Sequence, residues 1–108
     1  MQSWVPVLQM LMGLLLGHAV ADTILQPKWI KFHKHRSDAP SLWPIGLGAH
    51  GLIHGTFVAA ITGSIALGLA EMTVHAITDF GKGERWYGTY PDQAIHVACK
   101  VIWVLLAF

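Results

Sequence analysis

The sequence predicts an all-α fold: a polytopic membrane protein built as an antiparallel bundle of four transmembrane helices. Of its 108 residues, 54% are hydrophobic and only 12% are charged, and the mean hydropathy is +0.50. That composition is not typical of a soluble globular domain. The charged residues fall mainly between apolar runs, each long enough to cross a bilayer. We therefore expect a single membrane domain over 1–108.

The first apolar run, 4–26, contains no Lys or Arg. As a helix it would be about 35 Å long, enough to cross a hydrocarbon core of about 30 Å with some tilt. Its beginning, 5–16 followed by Ala19-Val20-Ala21, resembles a signal peptide with a small-residue cleavage site. Because no basic residue precedes the run, we expect the helix to be retained as a membrane anchor.

The second apolar run, 42–80, is too long for one span, since a straight helix of that length would measure about 58 Å. The Thr-Gly-Ser sequence at 62–64 predicts a hairpin within it. A polar loop with turn-forming glycines, 81–91, precedes the last run. The predicted helices are about 4–26, 43–61, 65–80 and 92–108, with a basic loop at 27–41.

The distribution of basic residues predicts the orientation. Loop 27–41 holds four Lys or Arg and loop 81–91 holds two, whereas the hairpin at 62–64 holds none. By the positive-inside rule, both loops are cytoplasmic and both termini lie outside, as expected for a bacterial inner membrane. The partner is then the lipid bilayer, because basic residues placed between apolar runs do not form the patch or tail that nucleic acid requires. The five tryptophans mostly fall at predicted span ends, as an aromatic belt does.

Each predicted helix carries one pair of His or Asp residues spaced by four. The pairs are His18/Asp22, His50/His54, His75/Asp79 and Asp92/His96. On a helix this spacing puts both side chains on one face. Because the helices alternate in direction, all four pairs lie at one depth, toward the loops. We expect a deeper layer of His18, His54, His75 and His96, and a layer roughly 6 Å nearer the loops of Asp22, His50, Asp79 and Asp92.

This set of residue types indicates a metal site. Imidazole nitrogen and carboxylate oxygen are ligands of first-row transition metals. A carboxylate at a helix centre is disfavoured by about 2.5–3.5 kcal/mol on the insertion scale, and a divalent ion would offset that cost. We expect one or two ions of Zn or Fe, with Mn as an alternative. The competing interpretation is that the pairs are hydrogen bonds between helices, worth about 0.6 kcal/mol each.

Glu71 lies one turn from His75 on the same predicted stripe. An intramembrane carboxylate is a functional candidate, and a proton carrier is one role for it. The alternative is a protonated Glu that hydrogen-bonds a neighbouring helix. Gln26 and Gln93 adjoin Asp22 and Asp92 and are candidates to support the ligands from outside.

The motifs also resemble a family of short bacterial and phage membrane proteins catalogued as a domain of unknown function. The resemblance is carried by His18-x3-Asp22 leading into Leu25-Gln26-Pro27 and Trp29, then by His50-x3-His54, His75-x3-Asp79 and Asp92-Gln93-x2-His96. It covers nearly the whole chain and implies a small four-helix integral membrane protein. It implies no activity.

Two classes of function remain open from the sequence. One is a metal-dependent enzyme at the cytoplasmic interface. It would be a hydrolase of a lipid-like ester or phosphoester, or a di-iron enzyme acting on an acyl chain, and an unliganded Asp or Glu71 would be the base. The other is a non-enzymatic module that handles ions or protons or contacts the envelope. The leucines before His18 suggest a dead-end site instead of a conduit.

Overall fold

The structure is a computed structural model that describes residues 4–108. The first three residues of the predicted domain lie outside it. The described chain contains five helices and no strand, so the predicted all-α class is confirmed. The helices are α1 (Trp4–Asp22), α2 (Lys28–His33), α3 (Trp43–Thr62), α4 (Ile65–Gly83) and α5 (Thr89–Ala107).

Several helix ends differ from the sequence-based bounds. α1 ends four residues before the expected Gln26, because Gln26 precedes a proline, which disfavours helical backbone. The Gln26 amide instead donates to the carbonyl of Asp22 at 2.7 Å. α4 continues to Gly83 and α5 begins at Thr89, so both are longer than predicted. Pro91 sits in the first turn of α5, where its missing N–H is tolerated.

The predicted basic loop contains a helix that the sequence did not indicate. α2 spans six residues after Pro27, and it packs against α3. Arg36, just beyond α2, forms an ion pair with Glu84 at the end of α4. The two charged connections therefore meet at one end of the molecule.

The hairpin between α3 and α4 turns at Gly63, which has a φ of 72° and ends α3. A left-handed backbone of this kind favours glycine. Ser64 then caps α4, its hydroxyl accepting from the Leu67 N–H at 3.1 Å. The two helices approach closely, since a Cβ on Gly68 would lie 2.7 Å from the Gly55 carbonyl oxygen.

The four long helices form a closed ring of contacts, in which α1 and α4 each pack against both α3 and α5. Toward the hairpin end, an apolar cluster fills the interior. Its fully packed members are Leu14, Val58, Trp103 and Val104. This end of the structure is apolar, and the opposite half of the interior holds the polar residues.

The distribution of polar and apolar side chains differs from that of a typical soluble protein. Its buried residues in the described chain include ten polar or charged ones but only eight hydrophobic ones. Large apolar side chains instead cover the outside of the long helices; they include Met12, Leu52, Ile77 and Leu105, all more than half exposed. Two helices, α1 and α3, are long and apolar enough to cross a membrane.

Candidate metal centre

The eight predicted ligands come together inside the ring of helices. Each helix contributes its i, i+4 pair from the face that points inward, as the spacing requires. Seven of the eight side chains are buried, and the Asp22 side chain is 23% exposed. The structure therefore places every residue of the predicted set in or beside one cluster.

The first group of potential ligands joins α1, α3 and α4. It consists of Asp22, His50, His54 and His75, which offer ligand atoms that all lie within 4.8 Å of one another. The Asp22 Oδ1 atom is 2.9 Å from His54 Nε2 and 3.2 Å from His50 Nε2. The rings of His54 and His75 stack at 3.6 Å between centroids. Three imidazoles thus face one carboxylate.

The second group joins α4 and α5 and consists of Asp79, Asp92 and His96. The His96 Nε2 atom lies 3.2 Å from Asp79 Oδ1 and 3.4 Å from Asp92 Oδ1. All three residues are buried. Two carboxylates and one imidazole in this arrangement are also a ligand set for a divalent ion.

Asp79, a member of the second group, also contacts the first. Its Oδ1 atom faces His96, whereas its Oδ2 atom is 3.3 Å from both His50 Nε2 and His75 Nε2. If each group held an ion, a carboxylate with one oxygen toward each group would be shared between the two ions. The two groups are therefore neighbours.

Several of these atoms are close together without being hydrogen-bonded. Within the described chain, the buried His50 Nε2, His75 Nε2, Asp79 Oδ2 and Asp92 Oδ1 atoms make no hydrogen bond. The imidazole nitrogens lie 3.2–3.4 Å from the carboxylate oxygens that face them. Metal–ligand bonds of about 2.0–2.1 Å in tetrahedral geometry would separate ligand atoms by about 3.3 Å. The donor set therefore fits a transition-metal ion.

Glu71 lies on the opposite side of His75 from Asp79, deeper in the interior. Its Oε2 atom is 2.9 Å from His75 Nδ1, while its Oε1 atom accepts from Lys100 Nζ and Trp103 Nε1, both at 2.8 Å. Glu71 is also close enough to His75 and His96 to form a third group of potential ligands. Its predicted role as a proton carrier stays a prediction.

Sequence reasoning missed Lys100 and Trp103. Lys100 is fully buried, and Trp103 is 8% exposed inside the bundle instead of at a span end. A signal for Lys100 was present, since it extends the Asp92–His96 stripe by another four residues. A lysine within an apolar run is a functional candidate on that ground alone.

His18 belongs to none of the three groups. Its Nε2 atom lies 3.0 Å from the Gln93 side-chain oxygen and 3.2 Å from Asp22 Oδ2. Gln93 in turn donates to Asp92 Oδ2 at 3.1 Å. His18 and Gln93 therefore link the carboxylates of α1 and α5 from the edge of the cluster.

The two predicted layers interleave. His54, in the expected deeper layer, contacts Asp22, and His75 and His96 both contact Asp79. The offset of four residues along the backbone is about 6 Å, short enough for the side chains to span. One continuous cluster results instead of two separate layers.

Lys34 reaches the cluster from the loop end, with its Nζ atom 3.8 Å from Asp79 Oδ2. This contact joins the first charged connection to a buried carboxylate of the cluster.

Comparisons of the chain with known protein families, curated proteins and solved structures gave no match.

Proposed function

We propose that the chain is an integral membrane protein with four spans that binds one or two divalent transition-metal ions in its interior. The inverted distribution of polar and apolar residues supports the four spans. α4 and α5 each have 19 residues, about 28 Å of helix, close to the hydrocarbon thickness of about 30 Å. Their polar residues Glu71, Asp79 and Lys100 are buried, and Leu69 and Leu105 are exposed.

The orientation follows from the charged connections. The end at which Arg36 meets Glu84 carries the Lys and Arg of both loops, and the hairpin at Gly63 carries none. The positive-inside rule then assigns that end to the cytoplasm of a bacterial cell, with both termini outside. The metal centre lies in the cytoplasmic half of the bundle.

One observation carries the metal proposal: Nε2 atoms from two helices, those of His50 and His75, are both 3.3 Å from Asp79 Oδ2. Neither nitrogen makes a hydrogen bond. A buried polar group that is unsatisfied costs about 1–3 kcal/mol, and a shared ion would satisfy all three atoms together. Zn, Fe and Mn all accept this mixture of nitrogen and oxygen ligands.

Two ions account for more of the cluster than one. The first would be held by Asp22, His50, His54 and His75, and the second by Asp92 and His96, with Asp79 between them. Ions that share a carboxylate in this way are about 3.5–4 Å apart in two-metal enzymes. His18 would orient Asp22, and Glu71 would orient His75.

The reaction that this centre suits is hydrolysis of a phosphoester or ester of a lipid-like substrate. A water oxygen forms a bond to phosphorus or carbon, the bond to the leaving oxygen breaks, and the proton lost by water passes to that oxygen. Asp22 is the carboxylate of the ligand set with the greatest exposure, 23%, so water and substrate would reach the centre beside it, at the loop end.

A second function, a non-enzymatic membrane module with a structural polar cluster, is favoured by the contacts of Glu71. Lys100 and Trp103 satisfy its carboxylate within the protein, as in hydrogen-bonded contacts between transmembrane helices. The apolar cluster around Leu14 and Val58 argues against a conduit through the bundle. This function predicts that removing a histidine alters stability without altering metal content.

Metal content tests the proposal directly. The full chain, purified in detergent and reconstituted with Zn, Fe or Mn, should hold at least one equivalent by elemental analysis. His54→Ala and His75→Ala should reduce that content. His33→Ala should not, because the ring of His33 stacks on Trp29 and belongs to no group of potential ligands. Wild-type protein with less than one equivalent of every metal would refute the proposal, as would His75→Ala protein with full content.

A further inference from the structure

A basic pocket lies at the loop end of the molecule, beside the metal centre. Its volume is about 330 Å³. It is formed by α2, the segment after it, and the last turn of α4. The polar residues that line it are Gln26, Lys31, Lys34, His35, Asp38 and Lys82. Three lysines and one carboxylate, that of Asp38, therefore line the pocket, and its charge stays positive even when Asp79, 3.8 Å from Lys34, is counted.

Two of the lining residues connect the pocket to the proposed metal ligands. Lys34 Nζ is 3.8 Å from Asp79 Oδ2, and the Gln26 amide donates to the backbone carbonyl of Asp22 at 2.7 Å. A molecule held in the pocket would thus lie next to Asp22, of the first ligand group, and next to Asp79.

The pocket is fixed by the fold. Lys31 lies in α2, and Lys34 is the residue that follows the helix. Because they are three residues apart, their side chains lie on the same side of this segment. The ion pair of Arg36 with Glu84 ties this segment to α4. His35 packs closely against Gly83, since a Cβ at Gly83 would collide with the His35 ring at Nδ1. Burial, with the nearby charge of Lys34, lowers the pKa of His35, so a neutral imidazole lines the pocket at neutral pH.

We propose that this pocket binds the phosphate group of the substrate, which makes the substrate a phosphate ester. That the phosphate belongs to a substrate rests on the proposed function, whereas phosphate binding itself requires only the pocket. Lysine binds phosphate through charge and up to three N–H donors, and three lysines here surround a volume of the size typical of small-molecule sites, about 300–1,000 Å³. A nucleic acid would need a longer basic surface.

The setting suits a phosphate attached to an apolar group. Phe32 also lines the pocket and is 57% exposed, and Trp29 one turn earlier in α2 is 46% exposed. Aromatic side chains at a basic surface are typical of the membrane interface. The phosphate could be that of a lipid headgroup or that of a free phosphate ester, and the two sources have the same recognition chemistry.

Two binding measurements on the full chain, made before and after metal reconstitution, distinguish these sources. In detergent, inorganic phosphate is titrated and its binding is followed by 31P NMR line broadening. In parallel, the chain is extracted from vesicles of phosphatidylcholine with phosphatidic acid, and the phosphatidic acid retained per chain is counted by mass spectrometry. We expect binding in at least one measurement. Retention of phosphatidic acid without inorganic phosphate binding would identify a lipid headgroup, and the reverse would identify a soluble ester.

The variants Lys31→Gln and Lys82→Gln should each weaken the observed binding about tenfold, since a hydrogen bond to a charged group is lost. Lys28→Gln is the matched control, because it removes the same charge from α2 but does not line the pocket. Equal weakening in all three variants would overturn the proposal, as would wild-type protein that binds neither probe. Circular dichroism checks that each variant is folded.

Metal analysis of the same samples separates this inference from the proposed function. Metal-loaded protein that binds no phosphate refutes the pocket and leaves the metal centre standing. Protein that binds phosphate through Lys31 and Lys82 but holds no metal supports the pocket and refutes the metal centre.

Discussion

The imidazole of His75 contacts the carboxylate of Glu71 one turn away on α4, with 2.9 Å between Nδ1 and Oε2. The pairing of Glu71 with Lys100 Nζ at 2.8 Å favours an ionised carboxylate, which can only accept, and the proton of this bond then lies on Nδ1. The His75 Nε2 atom then presents its lone pair toward Asp79 and the first ligand group. A carboxylate that orients a histidine in this way is typical of metal sites.

Glu71→Gln, made together with Lys100→Met so that no buried charge is left unpaired, should therefore weaken metal binding. Loss of such an orienting partner typically costs 10–100-fold in affinity, and we expect a loss in that range by competition with a chromophoric chelator. Glu84→Gln, the same change at the Arg36 ion pair outside the cluster, is the control. Unchanged affinity in the double variant would contradict the orienting role.

Lys100→Met should destabilise the protein strongly. Lys100 and Glu71 are both about 1% exposed and pair at 2.8 Å, and removal of one partner of a buried pair leaves an uncompensated charge, at a cost of about 3–5 kcal/mol. The double variant Lys100→Met with Glu71→Gln should recover part of the loss. Thermal unfolding in detergent measures both, with the exposed Lys28→Met as control. Equal stability of Lys100→Met and wild type would show that the ion pair does not stabilise the folded protein.

The sequence could predict the convergence of the eight His and Asp residues because a spacing of four fixes a helix face without any tertiary information. It could not predict which residues pair across helices. Glu71 and Lys100 meet because α4 and α5 pack in one particular register, and sequence spacing within a helix says nothing of that register. α2 was missed for another reason: six residues have little helical stability alone, and α2 depends on its packing against α3.

Asp79→Asn should lower the number of bound metal ions from two to one or fewer. Its two oxygens face His96 on one side and His50 and His75 on the other, and an amide cannot supply the charge that a bridging carboxylate provides. Elemental analysis after reconstitution gives the stoichiometry. Asp38→Asn, in the basic pocket, should keep the wild-type value. Two equivalents in Asp79→Asn would contradict the bridging position.

Thiol labelling tests the proposed orientation. The chain has one cysteine, Cys99, and its replacement by Ala gives a background for single cysteines at Ser37, in the first loop, and at Ile65, which is 76% exposed beside the hairpin. In intact cells, a membrane-impermeant maleimide should label Ile65→Cys, while Ser37→Cys should be labelled only after permeabilisation. The opposite pattern would reverse the orientation, and labelling of both in intact cells would refute the hairpin arrangement.

Substitution of Gly68 tests whether the contact between α3 and α4 sets the geometry of the cluster. A Cβ there would lie 2.6 Å from the Ala59 Cβ and 2.7 Å from the Gly55 carbonyl oxygen, so Gly68→Ala must push the helices apart, at a cost of about 1–3 kcal/mol. His50 and His54 lie on α3, whereas His75 lies on α4. Metal affinity should therefore fall together with stability.

Gly48→Ala is the matched control on α3, because a Cβ at Gly48 meets nothing within 4 Å. Alanine is favoured over glycine inside a helix by about 0.5–1 kcal/mol, so this variant should be as stable as wild type or slightly more so, with unchanged metal content. Thermal unfolding and elemental analysis measure the two variants side by side. Gly68→Ala protein that binds metal as tightly as Gly48→Ala protein would mean that the cluster tolerates a shift of α3 against α4, which a rigid ligand set cannot do.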